Sequence, residues 1–222
     1  MIYSWTAFQE PRGVMRILQF IFAIAAFSTT TNFSATLQMT CDGTPGPVNH
    51  EFNYPFRIEE KICPKIANNK TSEYILSADL SSDAQFYVAT GVLSLMYCVF
   101  IIAVYAGLDE LYRTKTEIPL ADFMLTTILA IFWLSGSAAW SNSTNTLKGI
   151  TSEDELKKIC ACSSIYVGSF SRLNISLILG FLNFFLWASD LWFLYKETIW
   201  FQGRSVTQPT GTGSAGGDVP NV

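Results

Sequence analysis

The sequence predicts an all-α membrane protein whose four membrane-spanning helices are joined by two long loops and one short loop. Four apolar runs, at about residues 16–35, 86–108, 120–141 and 173–195, carry this prediction. Each run has the roughly 20 residues that a helix needs to cross a hydrocarbon core of about 30 Å. Half of the 222 residues are hydrophobic and 14% are charged, whereas soluble domains usually have about 25% charged residues. A soluble bundle is disfavoured because its helices would be apolar along one stripe only.

The positions of the cysteines predict which loops share a compartment. Paired cysteines occur in the first and third gaps between the runs, residues 36–85 and 142–172, and the middle gap, residues 109–119, has none. Alternate gaps of a multispanning chain face the same side, and disulfides persist on the oxidising side of a membrane. We therefore expect both long loops to be lumenal and the short loop to be cytosolic. The lumenal cysteines, all expected in disulfides, are Cys41, Cys63, Cys160 and Cys162.

Charge around the first run predicts that both termini are cytosolic. Arg12 and Arg16 precede this run, and the next Lys or Arg is Arg57, so the positive-inside tendency places the N-terminus in the cytosol. Arg172, directly before the fourth run, is an exception to this tendency. The first run also has features of a cleaved signal peptide, including a small-residue end near Ala35, but its length favours retention as a helix.

This topology divides the chain into a cytosolic N-terminus (residues 1–15), a membrane domain (16–202) and a cytosolic tail (203–222). The tail is rich in Gly, Ser, Thr and Pro, a composition that is typical of disorder. Glycosylation sequons occur in the lumenal loops or at lumenal helix ends, and Asn69, in the middle of the first loop, is the expected site. The other three lie close to the membrane, at Asn32, Asn142 and Asn174.

Four lumenal cysteines allow three pairings, and the sequence favours Cys41 with Cys63. That bond closes a loop of intermediate length, and in the chain-entropy model it would stabilise the fold by about 3 kcal/mol. Cys160 and Cys162 are separated by one residue, which is tight for a disulfide. Two bonds between the loops are the alternative. A metal site is disfavoured, because the one histidine, His50, is expected to be a solvated loop residue and the compartment favours disulfides.

Few polar residues lie inside the predicted spans. Asp190 and Asn183 are seven residues apart in the fourth run and share a helical face. They suggest a proton or ion relay or, as we prefer, buried polar contacts with another helix or with Arg16, because a transport pathway normally has more such groups. Asp122 follows Pro119 at the start of the third run, where both residue types suit a helix N-terminus and no other role is needed.

Small residues in the first and third runs predict close helix packing, within the bundle or between copies. Cys98, inside the second run, is expected to be a small apolar packing residue. At the cytosolic end of that run, Leu108, Tyr112 and Lys115 fit a proposed cholesterol-contact pattern that is frequent by chance. The small residues are Ala23, Ala25, Ala26 and Ser28 in the first run and residues 135–139 in the third.

The sequence does not predict an enzyme, a cofactor site or a nucleic-acid site. It has no Walker loop, HExxH motif, GxSxG motif or clustered His, Asp and Glu residues. The predicted cytosolic segments are too short to form a catalytic domain. A formal net charge of −4 does not favour nucleic acid as a partner.

Short motifs spread over residues 10–200 resemble the synaptophysin family. They occur in one order, from the start of the first run, through the first lumenal loop, to the last run. The clearest are Glu10-Pro11-Arg12-Gly13, Tyr54-Pro55-Phe56-Arg57, Ala84-Gln85-Phe86-Tyr87-Val88, Pro119-Leu120-Ala121-Asp122-Phe123, Leu173-Asn174-Ile175-Ser176 and Gly180-Phe181-Leu182-Asn183.

The resemblance implies a four-helix MARVEL-type bundle with cytosolic termini, one disulfide in each lumenal loop and lumenal glycosylation. It also implies a vesicle protein that forms homo-oligomers and binds cholesterol and the SNARE synaptobrevin. The small-residue faces of the first and third helices are then the expected SNARE contacts. Three features depart from the family: the close spacing of Cys160 and Cys162, an acid at Asp190 where a neutral amide is expected, and a tail without Tyr/Gly-rich repeats.

We therefore expect a non-enzymatic integral membrane protein of synaptic or secretory vesicles that organises the vesicle membrane in trafficking and exocytosis. An oligomeric channel, suggested by Asn183 and Asp190, is the first alternative. A junctional four-span adhesion protein is the second, although the cysteine spacings of claudins and connexins are absent here.

Overall fold

The computed structural model describes residues 11–41, 46–67, 70–107, 117–160 and 162–197. These residues form five helices and five strands. The helices are α1 (Pro11–Thr31), α2 (Ser81–Gly107), α3 (Glu117–Ile150), α4 (Glu153–Ile159) and α5 (Ser171–Glu197). The strands are β1 (Ser34–Cys41), β2 (Val48–Asn53), β3 (Arg57–Ala67), β4 (Lys70–Asp79) and β5 (Cys162–Val167).

The four long helices form a closed bundle. Helix α1 packs against α2 and α5, and α3 packs against the same two helices, so α1 and α3 face each other across the interior. All four helices are long and apolar enough to cross a membrane. The strands lie between α1 and α2 and between α3 and α5, which places them together at one end of the bundle. This end is called the sheet end below.

The bundle is apolar outside and partly polar inside. Each long helix presents large apolar side chains outward, and Ile21, Met96, Ile131 and Ile178 are each more than half exposed. Water would penalise such a surface, but a surrounding hydrocarbon phase would not. Polar side chains instead occupy the buried interior, among them Arg16, Gln19, Thr126, Ser137, Asn183 and Asp190. This distribution fits a bundle whose solvent is lipid.

The helix ends differ from the predicted runs. Helix α1 spans Pro11–Thr31 rather than 16–35, because residues 34–41 leave the helix and form β1. Helix α3 continues to Ile150 instead of ending near residue 141. Its 34 residues extend about 51 Å at 1.5 Å per residue, which exceeds a hydrocarbon core of about 30 Å. Apolarity marks the stretch inside lipid, and the polar last turns of α3 stay helical beyond it.

The four predicted apolar helices are present, but the all-α part of the fold prediction is wrong, because the two long loops form β-sheets. Strand β1 lies between β2 and β5 in a three-stranded antiparallel sheet, and β3 and β4 form a two-stranded antiparallel sheet. Strand β1 alternates between exposed and buried side chains, with Ala35, Leu37, Met39 and Cys41 inside. That period of two is typical of a strand with one buried face.

The expected Cys41–Cys63 bond is also wrong, and the alternative pairing between the loops is observed. The disulfides join Cys41 to Cys162 and Cys63 to Cys160. Strand pairing is the cause, because β1 and β5 are antiparallel neighbours and their register places Cys41 opposite Cys162. The second bond attaches β3 to the residue after α4. The two loops therefore fold as one covalently linked unit.

An aromatic turn attaches this unit to the bundle. Phe56 has a φ of 67°, a left-handed conformation that is unfavourable for a bulky residue. Its ring is buried, with centroids 5.8 Å from Phe33, which follows α1, and 5.1 Å from Trp140 of α3. Burial of the ring among aromatic neighbours compensates for the backbone conformation.

Helix α5 approaches α2 and α3 closely at Gly180. A Cβ atom there would lie 2.5 Å from Ser137 Oγ and 2.7 Å from a ring carbon of Tyr87. Tyr87 also donates a hydrogen bond from α2 to the Ser176 carbonyl oxygen of α5. Only a residue without a side chain allows these three helices to approach this closely.

Replacing Cys41 with serine tests the disulfide pairing. Cys41→Ser should release the thiol of Cys162, because these two residues are bonded. Thiol labelling of denatured, unreduced protein followed by peptide mass analysis should find new label on Cys162, above the background from the free Cys98. New label on Cys63 would contradict the pairing. The complementary variant Cys63→Ser should release Cys160.

Adding a methyl group at Gly180 should destabilise the bundle. We expect Gly180→Ala to cost about 1–3 kcal/mol, the usual range for overpacking a core. Thermal unfolding in detergent, followed by size-exclusion chromatography, measures the effect. Gly149→Ala is the matched control, because a Cβ at this helical position meets nothing within 4 Å. Equal melting temperatures for the two variants would contradict the tight crossing at Gly180.

Candidate functional site

Helix α1 brings a charged side chain into the bundle interior. Arg16, Gln19, Ala23 and Ala26 are fully buried, and their spacing of three to four residues places them on one helical face. Arg16 lies in the second turn of α1, far from the sheet end. A buried guanidinium requires hydrogen-bonding and charged partners, because its transfer out of water is costly.

Partners on two other helices surround the guanidinium. Nη2 of Arg16 lies 2.6 Å from Asp122 Oδ1 and donates to Thr126 Oγ1 at 2.8 Å. Nη1 lies 2.9 Å from Asp190 Oδ2 and donates to Gln19 Oε1 at 2.9 Å. Gln19 Nε2 in turn donates to Asp190 Oδ2 at 3.1 Å. These five residues are called the ionic cluster, and they join α1 to α3 and α5.

Helix α2 joins the ionic cluster through two tyrosines. Tyr105 donates to Asp122 Oδ2 at 2.6 Å, and Tyr97 donates to Asp122 Oδ1. The guanidinium carbon of Arg16 also lies 5.3 Å from the centre of the Tyr97 ring and 5.4 Å from that of Trp187. Both distances fall within the range of a cation–π interaction. All four long helices therefore contact this one buried charge or its partners.

The ionic cluster can hold the four long helices together. Charged side chains inside a membrane domain are costly unless they pair, so separating α1 from α3 or α5 would expose charge to lipid. The side chains of Arg16, Asp122 and Asp190 are at most 1% exposed. Among the described residues, no group of three or more His, Cys, Asp or Glu is arranged to hold a metal ion.

The two intramembrane residues singled out from the sequence lie on the same buried face but have separate partners. Asp190 contacts Arg16, which was one of the contacts considered for it. Asn183 Nδ2 donates to the Phe22 carbonyl oxygen of α1 at 3.0 Å and to the Leu179 carbonyl oxygen at 2.9 Å. Both side chains therefore connect α5 to α1.

Sequence reasoning assigned too small a role to Asp122. It was interpreted as a residue that suits a helix N-terminus, but α3 begins at Glu117, and Asp122 is buried against Arg16. The available signal was its spacing of four residues from Thr126, which places both on one face. A second signal was the opposite charge of Arg16 at a similar depth from the same end of the bundle.

Part of each small-residue surface is buried inside the bundle. Ala23 and Ala26 of α1 and Gly136 and Ser137 of α3 are buried. A partner helix cannot contact these atoms while the bundle is closed, so the expected SNARE faces are wrong at these positions. In α3, Ser135 and Ala138 are exposed, and they form the outward part of the small-residue stretch.

Two further expectations can be compared with the structure. His50 is not a solvated loop residue, since it is buried on β2 and its Nδ1 lies 3.3 Å from Glu60 Oε2 of β3. Pairing of β2 with β1 accounts for this burial. Cys98 of α2 has a free, buried thiol and packs in the hydrophobic core, as expected.

Several predicted sites lie outside the described residues. These include the glycosylation site at Asn69, the cytosolic tail, and the cholesterol-contact pattern of Leu108, Tyr112 and Lys115. They remain predictions from the sequence.

Residues 7–193 match the sequence model of MARVEL, a membrane-associating domain. The chain belongs to the MARVEL family. The match includes every residue of the ionic cluster, all four long helices except the last residues of α5, and both sheets. Together with four helices able to cross a membrane, it makes this chain a multi-pass membrane protein. The MARVEL bundle here is closed by disulfides at the sheet end and by the ionic cluster away from it.

Removing the buried cation should open the MARVEL bundle. Arg16→Met keeps much of the side-chain volume but removes the positive charge beside Asp122 and Asp190, and breaking a buried pair typically costs about 3–5 kcal/mol. Thermal unfolding in detergent should show a large loss of stability. Arg172→Met is the control, because Arg172 is exposed and reaches the Asn32 carbonyl oxygen only at 3.4 Å. Similar losses in both variants would contradict a special role for Arg16.

Proposed function

We propose that this protein is a non-enzymatic member of the synaptophysin branch of MARVEL proteins, resident in synaptic or secretory vesicle membranes. It would organise the vesicle membrane in trafficking and exocytosis as a homo-oligomer that binds cholesterol and a synaptobrevin-type SNARE. The observation that carries this proposal is the MARVEL match over residues 7–193, combined with the ordered synaptophysin-like motifs of the sequence. No cofactor is part of the proposal.

The distribution of surfaces supports a function within the membrane plane. All four long helices expose large apolar side chains around the bundle, and the charged interior is closed by its own contacts. Such a protein can interact laterally with lipid and with other membrane helices. Its described segments outside the bundle are two small sheets and the seven-residue helix α4.

The proposed topology places both termini and the 109–119 loop in the cytosol, and the disulfide-linked sheets in the lumen. Arg12 and Arg16 before the first apolar run support this orientation, and so do the disulfides. Retention of α1 is supported by its packing against α2 and α5. Lumenal glycosylation at Asn69 belongs to the same proposal. Loss of a glycosidase-sensitive mobility shift in Asn69→Gln would support glycosylation at Asn69, and a wild-type protein without such a shift would refute it.

The outer face of α3 is the best remaining candidate for the SNARE contact. Ser135 and Ala138 are exposed there beside the apolar Ile131 and Leu134. Small exposed residues allow the backbone of a single-span helix to approach closely. For cholesterol, the proposed contacts remain Leu108, Tyr112 and Lys115.

Vesicle fractionation and site-specific crosslinking test this proposal. The protein should co-fractionate with secretory vesicles, and a mild-detergent pulldown should recover synaptobrevin. A photoreactive amino acid at Ala138 should crosslink to synaptobrevin, whereas the same group at Ile178, exposed on α5, should crosslink mainly to lipid. Absence from vesicles together with no recovered synaptobrevin would refute the function. Equal crosslinking at both positions would refute the α3 contact alone.

A pore through one copy of the bundle is not supported by the interior packing. Tyr87, Trp133 and Trp140 are fully buried, and Gly180 lies in close contact with Tyr87 and Ser137. This aromatic layer blocks the interior between the ionic cluster and the sheet end. A channel would have to form between copies. Planar-bilayer recording would reveal such a channel as a current, and the absence of any current would refute it.

A further inference from the structure

Three tryptophans in the bundle interior have different hydrogen bonding. Trp133, Trp140 and Trp187 are all fully buried. The indole of Trp133 donates to Ser94 Oγ at 2.9 Å, and that of Trp140 donates to Ser176 Oγ at 3.1 Å. The indole Nε1 of Trp187 has no hydrogen-bond acceptor in the described part of the chain. A buried donor without a partner is unfavourable and therefore requires an explanation.

Two other buried polar atoms, one on α5 and one on α1, also lack a partner in the described structure. Asn183 lies one turn earlier on the same face of α5, and its Oδ1 has no donor among the described residues. Its Nδ2 donates to the carbonyl oxygens of Phe22 and Leu179, so the amide orientation is fixed and rotation cannot satisfy Oδ1. On the facing helix α1, Arg16 Nε also lacks a partner within the described structure. The Arg16 guanidinium lies 5.4 Å from the Trp187 ring.

The chemistry of these three atoms defines the ligand that would satisfy them. Arg16 Nε and Trp187 Nε1 are donors, and Asn183 Oδ1 is an acceptor. The ligand that satisfies them must therefore be able both to accept and to donate hydrogen bonds. It must also be small, because all three side chains are fully buried and a lipid or sterol hydroxyl has no exposed route to them. Water meets both requirements, since buried waters typically form about three hydrogen bonds to such groups.

We propose that the MARVEL bundle binds internal water between α1 and α5, with hydrogen bonds to Trp187 Nε1, Asn183 Oδ1 and Arg16 Nε. This site would solvate the side of the guanidinium that the ionic cluster leaves without a partner. The close contact of Gly180 with Tyr87 and Ser137 limits the water to the half of the bundle away from the sheet end. The inference does not depend on the proposed vesicle function.

The test is NMR of full-length protein carrying ¹⁵N-labelled tryptophan in lipid nanodiscs. Trp187→Phe identifies the Trp187 indole signal by its disappearance, and Trp133→Phe and Trp140→Phe identify the two controls. In the wild-type protein, the Trp187 indole proton should show a cross-peak to water and should exchange with deuterium faster than the other two. The indoles of Trp133 and Trp140 should show neither effect, because each already donates its N–H to a serine Oγ.

The result that would overturn the proposal is a Trp187 indole that resembles Trp133 and Trp140, with no water cross-peak and slow exchange. A water cross-peak on all three indoles would overturn it as well, because general water penetration rather than a site would explain the data. Asn183→Leu provides a second variant, since it removes the acceptor and should weaken the Trp187 water cross-peak. Unchanged shifts of the other indoles would show that this variant retains the fold.

Discussion

The pairing of Arg16 with Asp122 and Asp190 is the constraint on which the bundle depends. A guanidinium cannot remain inside a hydrocarbon phase without partners, and here its two nearest anions belong to α3 and α5 at 2.6 and 2.9 Å. Helices α1 and α3 are not neighbours around the bundle, so this contact spans the interior. The tyrosines of α2 that donate to Asp122 complete the connection. Association of apolar helices in lipid has no hydrophobic driving force of its own, and the buried charges supply a specific reason for all four to meet.

The two ends of the bundle are closed by different chemistry. At the sheet end, two disulfides join the loops into one unit, and Phe56 seats that unit against Phe33 and Trp140. Away from the sheets, the ionic cluster closes the interior without covalent bonds. Disulfides are stable only in an oxidising compartment, whereas a buried ion pair does not depend on the redox state. The proposed orientation, with the sheets in the lumen, gives each end the type of closure that its compartment allows.

The sequence predicts the membrane spans well because apolarity over about 20 residues is a local property that lipid requires. It predicts the sheets poorly because β1 and β5 are far apart in the chain, and their pairing places Cys41 beside Cys162 across 121 residues. The alternation of Ala35, Leu37 and Met39 was the local signal for β1. Asp190 was linked to Arg16 as one possible contact. Asp122 was missed because its position near a helix start gave a sufficient local explanation, and only the packing of α3 against its neighbours reveals the other role.

A double-mutant cycle between Arg16 and Asp122 tests the central claim most directly. The free energy of unfolding in a lipid-like detergent would be measured for the wild-type protein, Arg16→Met, Asp122→Leu and the double variant. Residues in one ion-pair network show coupling energies of about 0.5–3 kcal/mol, and we expect a value in the upper half of that range. The double variant should therefore be much less destabilised than the sum of the two single variants. Additive effects within about 0.5 kcal/mol would contradict the claim that this pair connects α1 to α3.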